Sequence, residues 1–233
     1  MSDEAKRVND DLPSSSQSYV CIHCMTPADS LYKTYPSFIR MTQCKECDND
    51  VDKYVEYDSV LVVIDLLLQY SEAYRHILYN RGIQHFSRLL TIFLFCGAYE
   101  RWIEARQNQE KVFDLEWRFY LCLLESTVEI GIYVLSALVL EFFLKGSLKR
   151  AAFVSKAVVA GFYGRVCVVL SIIFHLYSEP SYRILTQLFL LISHFQICRA
   201  LHPQLSLMRA VVFVCLSTLF AQILPPIMMA SPN

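Results

Sequence analysis

The residues best equipped for chemistry lie between Tyr19 and Asp58. Cys21 and Cys24 make one C-x-x-C pair, Cys44 and Cys47 make a second, and nineteen residues separate the two. That is the spacing of a zinc ribbon, in which each pair sits on a tight turn that aims both sulfurs at one point. Two disulfides or four unrelated cysteines are the competing reading. Pairs at both ends of a short polar segment favour the metal. Four thiolates close the coordination shell and leave no position for a water or a substrate, so the expected Zn²⁺ is structural and not catalytic.

A second set of reactive residue types falls inside apolar stretches. Glu125 and Glu129 are four apart on one helical face, and Arg165 in the next apolar stretch is their natural partner. Charged groups at membrane depth are costly, so these three are candidates for a polar cavity, a proton path or a lipid headgroup site. The plainer alternative places the two glutamates near an interface, or protonated and hydrogen-bonded to a neighbouring helix. His175 and His194 fall in no H-x-x-x-H pattern, and no G-x-S-x-G or nucleotide loop occurs. The sequence reads as a non-enzyme.

These residues need elements to hold them, and composition says which. The chain has 233 residues, 55% hydrophobic and only 18% charged, which places it in the membrane class. Net charge is −1, and the cysteine-rich segment sets Lys33, Arg40, Lys45 and Lys53 against Asp29, Glu46, Asp48, Asp50 and Asp52, so no nucleic-acid face emerges. Residues 1–18 are polar and read as a disordered leader, and 19–58 as the ribbon. Residues 59–80 read as one amphipathic helix lying at the membrane interface. Asp58, Asp65, Gln69, Glu72 and His76 line one side of it, and Val60, Leu61, Ile64, Leu67, Leu68 and Ile77 the other. A helix packed on the ribbon is the alternative.

Residues 81–233 form the membrane domain. Clear apolar segments run over 119–144, 157–177, 182–201 and 208–230, the last expected to stop spanning near Leu224 because of Pro225 and Pro226. A marginal one covers 86–103. The loop 145–156 carries Lys145, Lys149, Arg150 and Lys156 with no acid, a positive-inside signal. Zinc thiolates need a reducing compartment, so the ribbon is expected in the cytosol. With both on one side, two spans precede the loop and the total is five. The basic residues in 104–118 favour four instead. Ala157, Gly161 and Gly164 make a small-residue face for close helix approach.

The segments CIHC, LYKTY, MTQCKEC and VDKYVEYDSVLVVIDLLLQYSEAYRHILYN, over about 19–80, resemble the homology domain of the Arv family, membrane proteins of the endoplasmic reticulum. The resemblance implies sterol transport and lipid homeostasis, with effects on sphingolipid and on intermediates of glycosylphosphatidylinositol (GPI) anchors. It also implies GPI-anchor synthesis enzymes as partners, or a scaffold that docks such enzymes or sterol-metabolising ones through the ribbon. The family usually has glycine after the second cysteine of each pair, where this chain has Met25 and Asp48. Glycine there serves a left-handed turn that Asp tolerates and Met does not favour.

Overall fold

The structure is a computed structural model, and it describes residues 19–107, 115–147, 149–176 and 179–229. The expected leader, 1–18, lies outside the described residues. The chain divides into two compact units, 1–82 and 83–233.

In the first unit the two cysteine knuckles alternate with small antiparallel sheets. Strand β1 (Tyr19–Val20) pairs with β2 (Pro27–Ala28), and β3 (Tyr32–Thr34) with β4 (Ile39–Met41). The second hairpin turns through Pro36, closed by the Tyr35 amide donating to the Phe38 carbonyl at 2.8 Å, and the two rings stack at 4.8 Å on its exposed tip. A 3₁₀ turn, Lys53–Val55, begins at Asp52, whose side chain accepts from the Tyr54 amide.

The single helix expected over 59–80 is interrupted. Helix α1 (Ser59–Leu67) ends in a left-handed Gln69, with φ of 63°, and α2 (Ser71–Arg75) winds on into a π-helical turn, His76–Arg81. The polar residues expected along one side of that helix do not form one continuous face. Ile22 and Tyr54 of the ribbon share a core with Val62 and Ala73, so α1 and α2 are built onto the metal module. This matches the packed-helix alternative, yet Val60, Val63, Ile64, Leu67 and Leu68 still project outward, each about half exposed or more.

The second unit is helical. Helix α3 (Phe86–Gln107) packs along α4 (Leu115–Lys145), and α4 also contacts α5 (Ala151–Ala160) and α8 (Leu207–Met229). From α5 the chain narrows into a 3₁₀ stretch, Gly161–Cys167, and then resumes as α6 (Val168–Ile173). Helix α7 (Pro180–Leu201) lies against that stretch. Gly161 and Gly164 make this approach possible. A Cβ on Gly161 would sit 2.9 Å from Ile197, and one on Gly164 2.5 Å from Phe189.

Among the described residues four helices are long and apolar enough to cross a membrane: Glu116–Lys145, Ala151–Ile173, Pro180–Leu201 and Leu207–Pro225. The chain is a polytopic α-helical membrane protein. Helix α3 exists where the marginal span was expected, but Glu100, Arg101, Glu104 and Arg106 keep it out of that set, so composition gives four crossings and not five. The second of the four begins six residues earlier than the apolar run suggested. It absorbs Lys156 into helix, as a long stem that can carry its charge toward the interface allows. The fourth crossing ends at Pro225, beside the Leu224 expected, while the helix itself continues to Met229; proline's fixed φ is itself helical, and what it removes is an amide donor.

Candidate functional site

In the first unit the four expected ligands converge. Sγ of Cys21 lies 3.8 Å from that of Cys47, and Sγ of Cys24 lies 3.5 Å from that of Cys44, with all four sulfurs within 4.8 Å of one another. Tetrahedral ligation with metal–sulfur bonds of about 2.3 Å demands sulfur–sulfur edges of about 3.8 Å. The donor set therefore fits a tetrahedral thiophilic ion. The nine cysteines stay free thiols, so the disulfide reading fails.

Local backbone explains the convergence. In each knuckle the residue after the second cysteine donates its amide to the first cysteine's carbonyl, Met25 to Cys21 at 2.9 Å and Asp48 to Cys44 at 3.1 Å. Both adopt the left-handed conformation, φ 68° and 56°. The turn that glycine would serve is thus made without it, at a steric cost of about 1–2 kcal/mol for a residue such as Met. Burial pushes the Cys21 thiol up to about 12. Burial also resists ionisation of Cys24, but the Thr26 hydroxyl, 3.2 Å away, and the Thr26 amide outweigh it and bring that thiol down to about 6.

A buried carboxylate ties the helices to the knuckles. Asp52 is fully buried; its Oδ2 accepts from His76 Nδ1 at 2.7 Å and from Asn80 Nδ2 at 2.6 Å. Asn80 also clasps the Val20 backbone, accepting from its amide at 2.9 Å and donating to its carbonyl at 3.0 Å. Arg75 donates to the carbonyls of Ile22 and His23, inside the first knuckle, at 2.7 and 2.6 Å. The other residues of the polar side expected on that helix have local partners of their own. Asp65 accepts from the Tyr54 hydroxyl at 2.7 Å, Glu72 from Lys53 at 2.6 Å, and Gln69 from the Tyr74 hydroxyl at 2.6 Å, while Asp58 caps α1 by position without a side-chain bond. Burial, reinforced by the Asp65 carboxylate, holds the Tyr54 phenol well above its ordinary range.

In the second unit Glu129 and Arg165 meet as expected: Arg165 is buried and donates to Glu129, and to Ser126 Oγ at 2.9 Å. Arg101 of α3, not among the candidates the sequence offers, donates to the same Glu129 carboxylate. Glu125 is not at the centre; it stands 3.8 Å from Arg101 Nε, half-buried. Arg165 also lies over the Phe162 ring, 4.6 Å from its centroid. Gly97 makes room for all of this, since a Cβ there would sit 2.7 Å from Ser126 Oγ and closer still to the Arg165 guanidinium. A glycine eleven residues into a marginal helix is the one signal in the sequence that another segment approaches α3 closely.

These groups line a cavity of about 340 Å³ between α3, α4, the α5–α6 segment, α7 and α8. Glu100, Arg101, Glu129 and Arg165 form its inner wall, Gln187 and Gln222 close another at 2.9 Å, and Arg183 pairs with Glu104 at 2.5 Å at its more exposed edge. His194, fully buried against Tyr133 and Phe162, lies outside it.

Residues 20–200 match the model of the Arv1-like family. The chain belongs to the Arv1-like family. It is 30% identical over 227 residues to Protein ARV1 of Bos taurus, covering 92% of this chain and 79% of that one. It is 32% identical over 202 residues to Protein ARV1 of Homo sapiens, covering 80% and 73%. Protein ARV1 of Saccharomyces cerevisiae is 50% identical over 70 residues, 30% of this chain and 22% of that one. No solved structure matches. The family assignment therefore reaches well past the metal module into the helices that build the cavity.

Proposed function

We propose that this Arv1-like protein is a non-enzymatic lipid-handling protein of the endoplasmic-reticulum membrane, acting in sterol transport and lipid homeostasis and touching sphingolipid and GPI-anchor intermediates. The observation that carries the reading is the cavity. Guanidinium and carboxylate groups buried among membrane-crossing helices are expensive, and they are retained where a polar group must be received. At about 340 Å³ the space is at the small end of ligand pockets, room for a headgroup while the acyl chains stay among the helices. Sterol, with one hydroxyl, would run along the exposed apolar faces instead. The cysteine cluster would hold Zn²⁺ as a closed, structural ion on the cytosolic side. The outward row of Val60, Val63, Ile64, Leu67 and Leu68 would lie in the headgroup plane.

The test is a lipid census of the purified full chain, followed by exchange of labelled lipid between vesicles containing it. A defined co-purifying lipid and protein-dependent exchange are expected; a chain that carries only bulk lipid and moves none defeats the proposal. The scaffold alternative, docking GPI-anchor or sterol-metabolising enzymes through the ribbon, draws on the exposed Tyr35–Phe38 stack at the hairpin tip. It predicts that one defined enzyme complex co-purifies and that Tyr35→Ser with Phe38→Ser releases it while lipid exchange is unaffected.

A further inference from the structure

The second hairpin, β3–β4, carries an arrangement that neither the cysteine cluster nor the cavity uses. Its register sets Lys33 directly opposite Arg40, and Tyr32 opposite Met41. Side chains alternate between the two faces of a strand, so the Lys33–Arg40 pair shares one face with the stacked rings of Tyr35 and Phe38, while Tyr32 and Met41 turn to the other and are partly covered. Both cations are exposed, and neither meets a carboxylate among the described residues, whereas Lys45 and Lys53 pair with Asp29 and Glu72. Like charges directly opposite each other on a sheet are destabilising. Between Tyr19 and Gly82 nine acids outnumber six bases, yet none of the nine falls between Ser30 and Gln43. An acidic unit thus holds one wholly basic finger, tipped by three exposed apolar side chains, Tyr35, Phe38 and Ile39.

Two such cations call for an anion, and the exposed rings ahead of them call for an apolar medium. Two residues of strand, about 7 Å, separate the ring pair from the charge pair. A bilayer changes from acyl chain to phosphate over a similar depth: interfacial elements bury their apolar side about 5–10 Å into that boundary, and aromatic rings are favoured there. We propose that the β3–β4 tip docks on an anionic phospholipid surface. Tyr35, Phe38 and Ile39 enter the boundary between headgroups and acyl chains, and Lys33 and Arg40 meet the lipid anions, which relieves the repulsion between them. An acidic protein would satisfy the cations too, but the hairpin belongs to a chain whose own helices cross a membrane, so a bilayer is present at high effective concentration. The docking surface is separate from the cavity, and the bilayer takes here the tip that a scaffold would offer to an enzyme.

The experiment places photoreactive benzoylphenylalanine at Phe38 and reconstitutes the full chain in vesicles of dioleoyl phosphatidylcholine, with or without about 30 mol% dioleoyl phosphatidylserine. Lipid adducts are measured by mass spectrometry after illumination. Each cation near an anionic surface is worth about fivefold in occupancy, so phosphatidylserine should raise the adduct yield at Phe38 about fivefold or more. Lys33→Gln with Arg40→Gln should return the yield to that in phosphatidylcholine alone, with the circular dichroism unchanged. The same probe at Lys45, equally exposed but in the second knuckle, should form few adducts in either vesicle. Equal yields at Phe38 with and without phosphatidylserine, or an undiminished rise in the double variant, overturn the proposal and leave the lipid-handling role of the cavity untouched. So does a single protein adduct in place of lipid when the Phe38 probe is illuminated in native membranes. Should the double variant fail to fold, Lys33→Arg with Arg40→Lys carries the test: it keeps both charges and must keep the rise.

Discussion

Met25 carries a side chain where the backbone turns left-handed, and Asp48 does the same in the second knuckle. Replacing Met25 by Gly should remove strain of about 1–2 kcal/mol, less the entropy that glycine adds to the unfolded chain. The check is slower release of metal to a chelator by the Met25→Gly protein. Thiolates, not thiols, ligate metal, so protons compete with it and affinity must fall as pH falls. Metal content by atomic emission should decline on acidification of the wild type, and Cys44→Ser should lack the metal at neutral pH. Asp52 is the residue on which the helices hang: Asp52→Ala strips the partner from His76 and Asn80 at once, at about 3–5 kcal/mol, and should cost the protein its metal too. The ligands themselves were legible because their spacing is the chemistry. Asp52 was legible only as part of a resembling run, since nothing in one sequence says that an aspartate is buried.

Continuous apolar periodicity gave away the helices of the second unit, but it overran the first. From 59 to 80 the spacing of polar residues fits a single helix; the structure breaks it at Gln69 because Asp65, Glu72 and His76 each find partners on the ribbon, which one straight rod would not bring within reach. Pattern reports which residues share a face and is silent on what that face meets. What remains outward is the apolar row on α1. A photoreactive benzoylphenylalanine at Leu68 in the reconstituted chain should therefore crosslink to acyl chains, and one at Gln69, turned to Tyr74, should not. Helix α3 offers a second test. Gly97→Val would drive a branched side chain into Arg165 and Ser126, and overpacking of this kind costs about 1–3 kcal/mol. Thermal unfolding in detergent should show it, with Gly131→Val, which meets nothing nearby, as the control.

Across the whole molecule, the count of crossings decides on which side each site works. Helix α4 separates residues 107 and 147, so a cysteine at Gln107 and one at Ser147 should react with an impermeant thiol reagent from opposite sides in a chain whose nine native cysteines are blocked or replaced. If α3 also crosses, an amino-terminal epitope is reached from the Ser147 side; with four crossings it is reached from the Gln107 side. Glu129 joins three segments distant in sequence, and Glu129→Gln, which leaves two guanidinium groups facing a neutral amide, should destabilise the helical unit by about 3–5 kcal/mol. Adding Arg165→Met should recover part of that loss. The 3₁₀ stretch from Gly161 to Cys167 has an effect beyond packing. Each of its seven residues advances about 120° around the axis in place of 100°, so everything after Cys167 is rotated by roughly 140° from where a uniform helical wheel would put it. A substitution scan of 151–173 drawn on one such wheel would assign lipid-facing azimuths to inward residues such as Ser171; two wheels, phased separately on either side of the stretch, are required.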